Sequence, residues 1–386
     1  MDFGISGELQ MLRKSVRDFA RKEILPTLGE DERSHRFQRE IVRKMGQLGF
    51  LGCPIPQEYG GSEMGYLAHA ICTEEISRVS GSLRAAFNMQ TMGTALEIHQ
   101  FGSDEQKRRY IPKLVSGEWL GCIGITEPEA GTDTAAMKST AVSEGDFYIL
   151  KGQKTWITWG SVADIGVCYA YTDPARKHKG MSAFILDMHS PGISTPEIKH
   201  KMGWHTCPTS EIFFDHVKIP REDLLGEEGE GFKYMMSSLD NTRLTAAAGA
   251  VGVCQAFIDE AVKYAQDRVQ FGQPIGKFQL IQEQIGRMVV ETEAARLLVW
   301  QSAAMLDKAL RNSLESSMGK AKAGKVCSHI CQRCVALLGP LGYSKEFLAE
   351  KWMRDVKIND IFEGTGQIQM LVVCRLILGF SRDQLK

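Results

Sequence analysis

The sequence predicts an α+β multidomain protein in which a helical segment, a β segment and a second helical segment follow one another. Three observations carry this. Apolar residues recur at helical spacing from Glu8 to about residue 115. From there to Leu225 the text is rich in β-branched and aromatic residues between turn signals. Helical spacing then returns after Gly231 and persists to about residue 380. Helix and strand are segregated, which excludes an alternating, doubly wound sheet. The 386 residues suffice for two or three domains. The expected boundaries are 1–117 (helical), 118–230 (a central sheet or barrel) and 231–386 (a helical bundle).

In the first segment Leu9, Leu12, Val16 and Phe19 form one apolar stripe, and Pro26 ends it. Further helices are expected at about 36–49, 66–79, 86–101 and 104–115, with residues 53–61 (CPIPQEYGG) as a loop. In the second segment 163–171, 182–186 and 211–219 are the clearest strands. Residues 225–232 (LGEEGEGF) reverse the glycine spacing of a dinucleotide-binding loop and fill its gaps with acids. They predict a turn into a helix, not a phosphate cradle. In the third segment helices are expected at about 231–268, 275–308, 312–338, 344–357 and 366–380. Cys327, Cys331 and Cys334 have a spacing used by iron–sulfur ligands. They also fall at i, i+4 and i+7 on one helix face, where small thiols act as core residues, and no metal is expected.

Composition narrows the function. Apolar residues are 43% and charged residues 24% of the chain, ordinary for a folded enzyme. With 46 basic against 47 acidic residues there is no basic footprint for sequence-independent nucleic-acid binding. No apolar run reaches membrane-spanning length, and the start MDFGISGELQMLRK has no hydrophobic signal core. Ten scattered cysteines fit a reducing compartment. The expectation is a prokaryotic cytoplasm, or a mitochondrial matrix for a processed eukaryotic chain.

The chemistry centres on residues 351–370 (KWMRDVKINDIFEGTGQIQM). Gly364 and Gly366 break two helical patterns, where backbone can approach a ligand. Glu363 sits among Ile361, Phe362 and Ile368. A lone carboxylate there is disfavoured as an anion and is a correspondingly stronger base, suited to proton abstraction beside a carbonyl. Spacing alone favours the plainer alternative, a Glu in the first turn of the following helix.

Arg354-Asp355 followed by IFEGTGQIQ (361–369) closely resembles the base-bearing segment of the acyl-CoA dehydrogenases, and further family stretches occur in order over nearly the whole chain. The resemblance implies a helical, β, helical fold, FAD as cofactor, and Glu363 as the catalytic α-proton-abstracting base. Residues 122–133 (CIGITEPEAGTD) resemble the family's flavin loop, and 154–158 (KTWIT) its companion strand. By that resemblance Ile123, Ile125, Thr126, Trp156, Ile157 and Thr158 surround the flavin ring, while Gly131 and Thr132 follow the flavin phosphates and the pantetheine path. Residues 268–276 (RVQFGQPIG) with Phe278 and Gln279 resemble the stretch that holds FAD from a neighbouring subunit, through Arg268, Gln270 and Phe271. A second such stretch contains Leu337 and Gly339 but departs from the family at Ala336 and Pro340. Thr365 and Gln367 complete the implied cofactor set.

For the substrate, Asp240 and Arg243 match the CoA-binding segment, and Thr132, Phe362 and Gly364 line its path. In some branches the base occupies the position of Thr242, which cannot serve. Arg84 matches the arginine of the glutaryl-CoA branch, where a guanidinium clamps a distal carboxylate. That branch's decarboxylating members carry a Glu, a Ser and a Tyr where this chain has Ser77, Ala85 and Phe362. The expectation is dehydrogenation of a dicarboxylyl-CoA such as glutaryl-CoA without loss of carbon dioxide, in a homotetramer that passes electrons to an electron-transfer flavoprotein. The alternatives are a dehydrogenase for a substituted succinyl-, cyclic or short branched-chain acyl-CoA, an oxidase or enoyl-CoA reductase on the same fold, and a flavin-bearing protein acting on nucleic acid.

Overall fold

The computed structural model describes residues 4–379; residues 1–3 and 380–386, the outer ends of the two helical segments, lie outside the described part. The first helix, α1 (Gly7–Phe19), starts where the Ser6 hydroxyl accepts a hydrogen bond from the Leu9 N–H, and it runs on as a wider π turn over Ala20–Ile24. The short polar α2 (Leu28–Ser34) has too little apolar periodicity to be read from sequence. Then come α3 (Arg39–Gln47), α4 (Gly65–Ser77), α5 (Leu96–Phe101) and α6 (Asp104–Val115). Between α4 and α5 the chain is not the expected α-helix: Phe87–Ala95 is a π-helix, buried throughout. Such wide turns cluster at functional sites.

The middle of the chain is one sheet of β1 (Gly121–Gly124), β2 (Thr140–Glu144), β3 (Phe147–Thr158), β4 (Ile165–Tyr171), β5 (Met181–Asp187), β6 (Ile193–Ser194), β7 (Thr209–Pro220) and β8 (Leu224–Leu225). The order is β6-β7-β3-β2-β4-β5-β8, with β1 added parallel to β4, so among the described residues the ladder stays open and does not close into a barrel. Tyr148, Leu150, Phe184, Ile212, Phe214, Val217 and Ile219 fill one face. Bulges in the β3–β7 pairing, between Leu150 and Gly152 and between Lys154 and Ile157, re-aim the end of β3.

After the sheet, α7 (Gly231–Asp267), the small hairpin β9 (Val269–Gln270) and β10 (Gln273–Pro274), α8 (Gln279–Leu306) and α9 (Ser313–Leu338) form the bundle. Helix α7 is buried all round over residues 241–254, where a run of Ala and Gly lets neighbours pack closely. The continuous helix expected at 344–357 is instead α10 (Pro340–Tyr343), an extended Ser344 and α11 (Ala349–Val356). The Ser344 hydroxyl accepts the Glu346 N–H and holds that break. Cys327, Cys331 and Cys334 lie on the buried face of α9, as the spacing predicts. The last helix, α12 (Gly366–Leu378), follows the Glu363 segment. Two helical domains thus flank a central sheet domain.

Candidate active site

The Glu363 loop lies between a 3-10 turn, Lys357–Asp360, and α12. Glu363 does not cap α12: the Thr365 hydroxyl does, accepting from the Ile368 N–H at 3.2 Å. Nor is the carboxylate alone among apolar side chains, as the sequence suggests. Its Oε1 accepts from the Asn88 amide at 2.7 Å and its Oε2 from the Thr242 hydroxyl at 2.6 Å. These two bonds aim the half-buried carboxylate. Neither partner is evident from the sequence motifs. The signal available for Asn88 is its i+4 spacing from Arg84; Thr242 occupies the position at which the resemblance places a base in other branches.

Arg84 is one of the most buried side chains in the protein, 1% exposed. Its Nη2 donates to the Asn359 side-chain oxygen at 2.8 Å, while its Nη1 has no partner. The guanidinium lies 4.8 Å from the Trp204 ring centre and 5.1 Å from that of Phe362, and these two rings meet edge-on. Opposite them is Gly249 of α7, where any Cβ would collide with the Arg84 side chain. Among the described residues no carboxylate forms an ion pair with Arg84. Burial holds its pKa down at about 10 while the field of Glu363 pulls it up, so it is a cation at neutral pH. His69 of α4 hydrogen-bonds to Thr245 and is pushed down to about 3 by burial, so it adds no charge to this interior. Ser77 donates to the Gly249 carbonyl at 2.7 Å, and Ala85 is buried. Asn359, Trp204 and Gly249 escape a reading by motif, because they come from three separate parts of the chain.

The two flavin-like stretches meet. The Thr155 N–H donates to the Thr126 carbonyl at 2.9 Å. The buried Lys154 ammonium reaches Glu127 at 2.8 Å and the Ile125 carbonyl at 3.3 Å. Burial pushes the Glu127 carboxyl up, but Lys154 and the N–H groups of Lys138 and Ser139 outweigh it and hold it below the ordinary value. This ion pair ties the turn to β3. Trp156 stands 59% exposed at a left-handed φ of 59°. Gly131 and Thr132 lie open, Ile123, Ile125, Thr126 and Thr158 are half-buried, and Ile157 turns its side chain into the sheet core, leaving only its backbone outward. An exposed aromatic held in a conformation disfavoured for its type is the kind of strained position that marks a binding surface.

Asp240 and Arg243 form an i,i+3 pair on α7, and Ser313 also donates to Asp240. The Arg243 Nε remains without a partner. Phe362, Gly364 and Thr365 are half-buried and Gln367 is exposed. By contrast, Arg268, Gln270, Phe271, Phe278 and Gln279 lie at the far end of α7, roughly 37 Å along the helix axis from Arg243 at 1.5 Å per residue. Phe271 is 92% exposed at φ 52°, with Phe278 edge-on to it. Leu337 is packed in the bundle core, whereas Gly339, at φ 61°, is open. Within one protomer the Arg268 set thus sits a helix length away from the Asp240–Arg243 pair. If it serves the FAD of a neighbouring copy, Arg268→Ala is expected to lose FAD on dilution. Flavin absorbance across a gel-filtration profile checks this; a monomer that keeps its FAD contradicts it.

Fold and site together define a helical–sheet–helical protein with a positioned carboxylate, Glu363, in the loop before its last helix. Residues 6–118, 122–217 and 229–378 match the N-terminal, middle and C-terminal domain models of acyl-CoA dehydrogenase. The chain is 46% identical to the glutaryl-CoA dehydrogenase of Desulfococcus multivorans, covering 99% of both, and 40% identical to the caffeyl-CoA reductase–Etf complex subunit CarC of Acetobacterium woodii, covering 97% of this chain and 99% of that one. A solved glutaryl-coenzyme A dehydrogenase in complex with glutaryl-CoA superposes with a TM-score of 0.97 at 45% identity, covering 99% of this chain and 98% of that one. The chain belongs to the acyl-CoA dehydrogenase family of flavin-dependent oxidoreductases, and its cofactor is FAD.

Proposed function

We propose that the protein dehydrogenates a dicarboxylyl-CoA, glutaryl-CoA foremost, between its α and β carbons, and that it does not decarboxylate the product. The observation that carries this is Arg84, a fully buried guanidinium with an unmet N–H and, among the described residues, no acidic partner. A buried cation is costly unless paired. A distal substrate carboxylate supplies the missing partner, and the similarity to glutaryl-CoA dehydrogenases supports that choice.

In this reading Glu363 takes the α-proton on a carboxylate aimed by Asn88 and Thr242, and the Glu363 backbone N–H meets the charge developing on the thioester oxygen. When bound, FAD supplies the acceptor for the β-hydride. Asp240 and Arg243 hold the pantetheine. A cleft of about 530 Å³ lined by Asp133, Lys138, Lys177 and His178 receives the phosphorylated end of CoA on the Lys138 and Lys177 ammonium groups. Electrons pass to an electron-transfer flavoprotein, as the name of the Acetobacterium relative suggests for its own complex. A homotetramer buries the apolar side chains that α8 and α12 present to solvent, among them Leu280, Val290 and Ile377. An anaerobic panel of acyl-CoAs, monitored by loss of flavin absorbance, tests the reading. Faster bleaching by butyryl-CoA than by glutaryl-CoA refutes the dicarboxylate assignment.

The wall around Arg84 bears on the fate of the product. Breaking the carbon–carbon bond to the distal carboxylate leaves a dienolate that must be protonated, and Ser77, Ala85 and Phe362 offer no acid for it. A carboxylate fixed on Arg84 is also a poorer leaving group. The expected product of glutaryl-CoA with a saturating artificial acceptor is glutaconyl-CoA, identified by mass spectrometry. Crotonyl-CoA as the main early product contradicts this.

A further inference from the structure

Glu363 and Gly364 both have left-handed backbones, with φ of 54° and 81°. Two consecutive positive φ values, the first on a glutamate, persist only where the surroundings over-determine them. Two buried side chains do so. The Lys320 ammonium of α9, 1% exposed, donates to the Gly364 carbonyl at 2.6 Å. The Gln369 amide, 0% exposed and one turn into α12, reaches back to the Glu363 carbonyl at 3.0 Å and the Gly364 carbonyl at 3.1 Å. A side chain at Gly364 would strike that amide. Neither Lys320 nor Gln369 bonds to the Glu363 carboxylate itself; both act on the peptide groups that decide where it points.

We propose that Lys320 is a positioning residue for the base: with Gln369 it clamps the Glu363 and Gly364 carbonyls and thereby fixes the direction of the Glu363 carboxylate and N–H. This rests on Glu363 being the base. The charge on Lys320 is finely balanced. Burial lowers it to a pKa of about 8, while Glu363 and Asp360 of the loop hold it up and Arg243 of α7 and Arg84 push it down. The sign follows directly. As pH rises through about 8 the ammonium becomes an amine, a weaker donor to the Gly364 carbonyl, and the clamp loosens.

The test compares FAD-loaded wild type, Lys320→Met, Lys320→Arg and Glu363→Gln. One readout is kcat against pH. The other is exchange of the acetyl-CoA α-protons with deuterated solvent, which reports the base alone because acetyl-CoA has no β-hydride to lose. Lys320→Met is expected to lower both kcat and exchange roughly 10- to 100-fold, the scale of a misplacement near 1 Å, with KM and thermal midpoint close to wild type. Lys320→Arg restores kcat and moves the alkaline limb out of range, because a guanidinium stays charged. Wild-type exchange in Lys320→Met, or an unmoved alkaline limb in Lys320→Arg, overturns the clamp; the Arg variant decides alone if the Met variant does not fold. If Glu363→Gln still exchanges, the base assignment itself fails.

Discussion

Glu363→Gln is expected to give a folded, yellow, FAD-loaded protein whose turnover is down by more than the roughly 10²–10⁴-fold that ordinary acid–base assistance contributes. The amide keeps the volume of the side chain and can still accept from Asn88 or Thr242, so the loop has no reason to move. It cannot take a proton. The groups bonded to it cannot substitute, Thr242 being a hydroxyl and Asn88 an amide, and Glu97, which feels the Glu363 charge, is pushed up to about 8 by burial and is held by Tyr169. Asp360 precedes the loop by one turn, with its carboxylate packed against Gly366. Steady-state turnover and single-turnover flavin bleaching check this together. Near-normal rates in the variant would remove Glu363 from the mechanism.

What the sequence discloses of this site and what it hides differ in kind. The helical–sheet–helical order is legible because each long element carries its own period, and Glu363 stands out because two glycines interrupt that period beside it. The π stretch Phe87–Ala95 is not legible: its nine residues are buried on every side, so no polar face marks the change of pitch. The partners of Glu363 come from positions 88 and 242, and contacts over such separations leave no local pattern. Arg84 shows why burial is the hardest property to read. A guanidinium in a Gly/Ser-rich break suggests a solvent-facing charge. Its seat exists only because Gly249, deep in α7, leaves the room, and because Trp204 and Phe362 close over it. Trp156 offers the converse, an exposed aromatic in a strand where the alternation predicts nothing unusual.

Arg84→Met is expected to weaken a dicarboxylyl-CoA by about 3–5 kcal/mol, the cost of leaving one member of a buried ion pair alone, or roughly two to three and a half orders of magnitude in affinity. The unliganded variant should be no less stable than wild type. Methionine fills much of the same channel between Gly249 and the two rings, and it removes an unmet buried N–H that opposes folding. A monocarboxylyl-CoA such as butyryl-CoA, which brings no counter-charge and must leave the cation unpaired, should bind the variant at least as well as wild type. The preference between the two substrates therefore inverts, a result that general damage to the pocket cannot produce. The wild-type preference should also hold across neutral pH, since the guanidinium stays charged until pH nears about 10. Binding of glutaryl-CoA and butyryl-CoA to both proteins, measured by flavin bleaching from pH 6 to 9, decides it. Parallel losses for both substrates would mean that Arg84 shapes the pocket without reading a carboxylate.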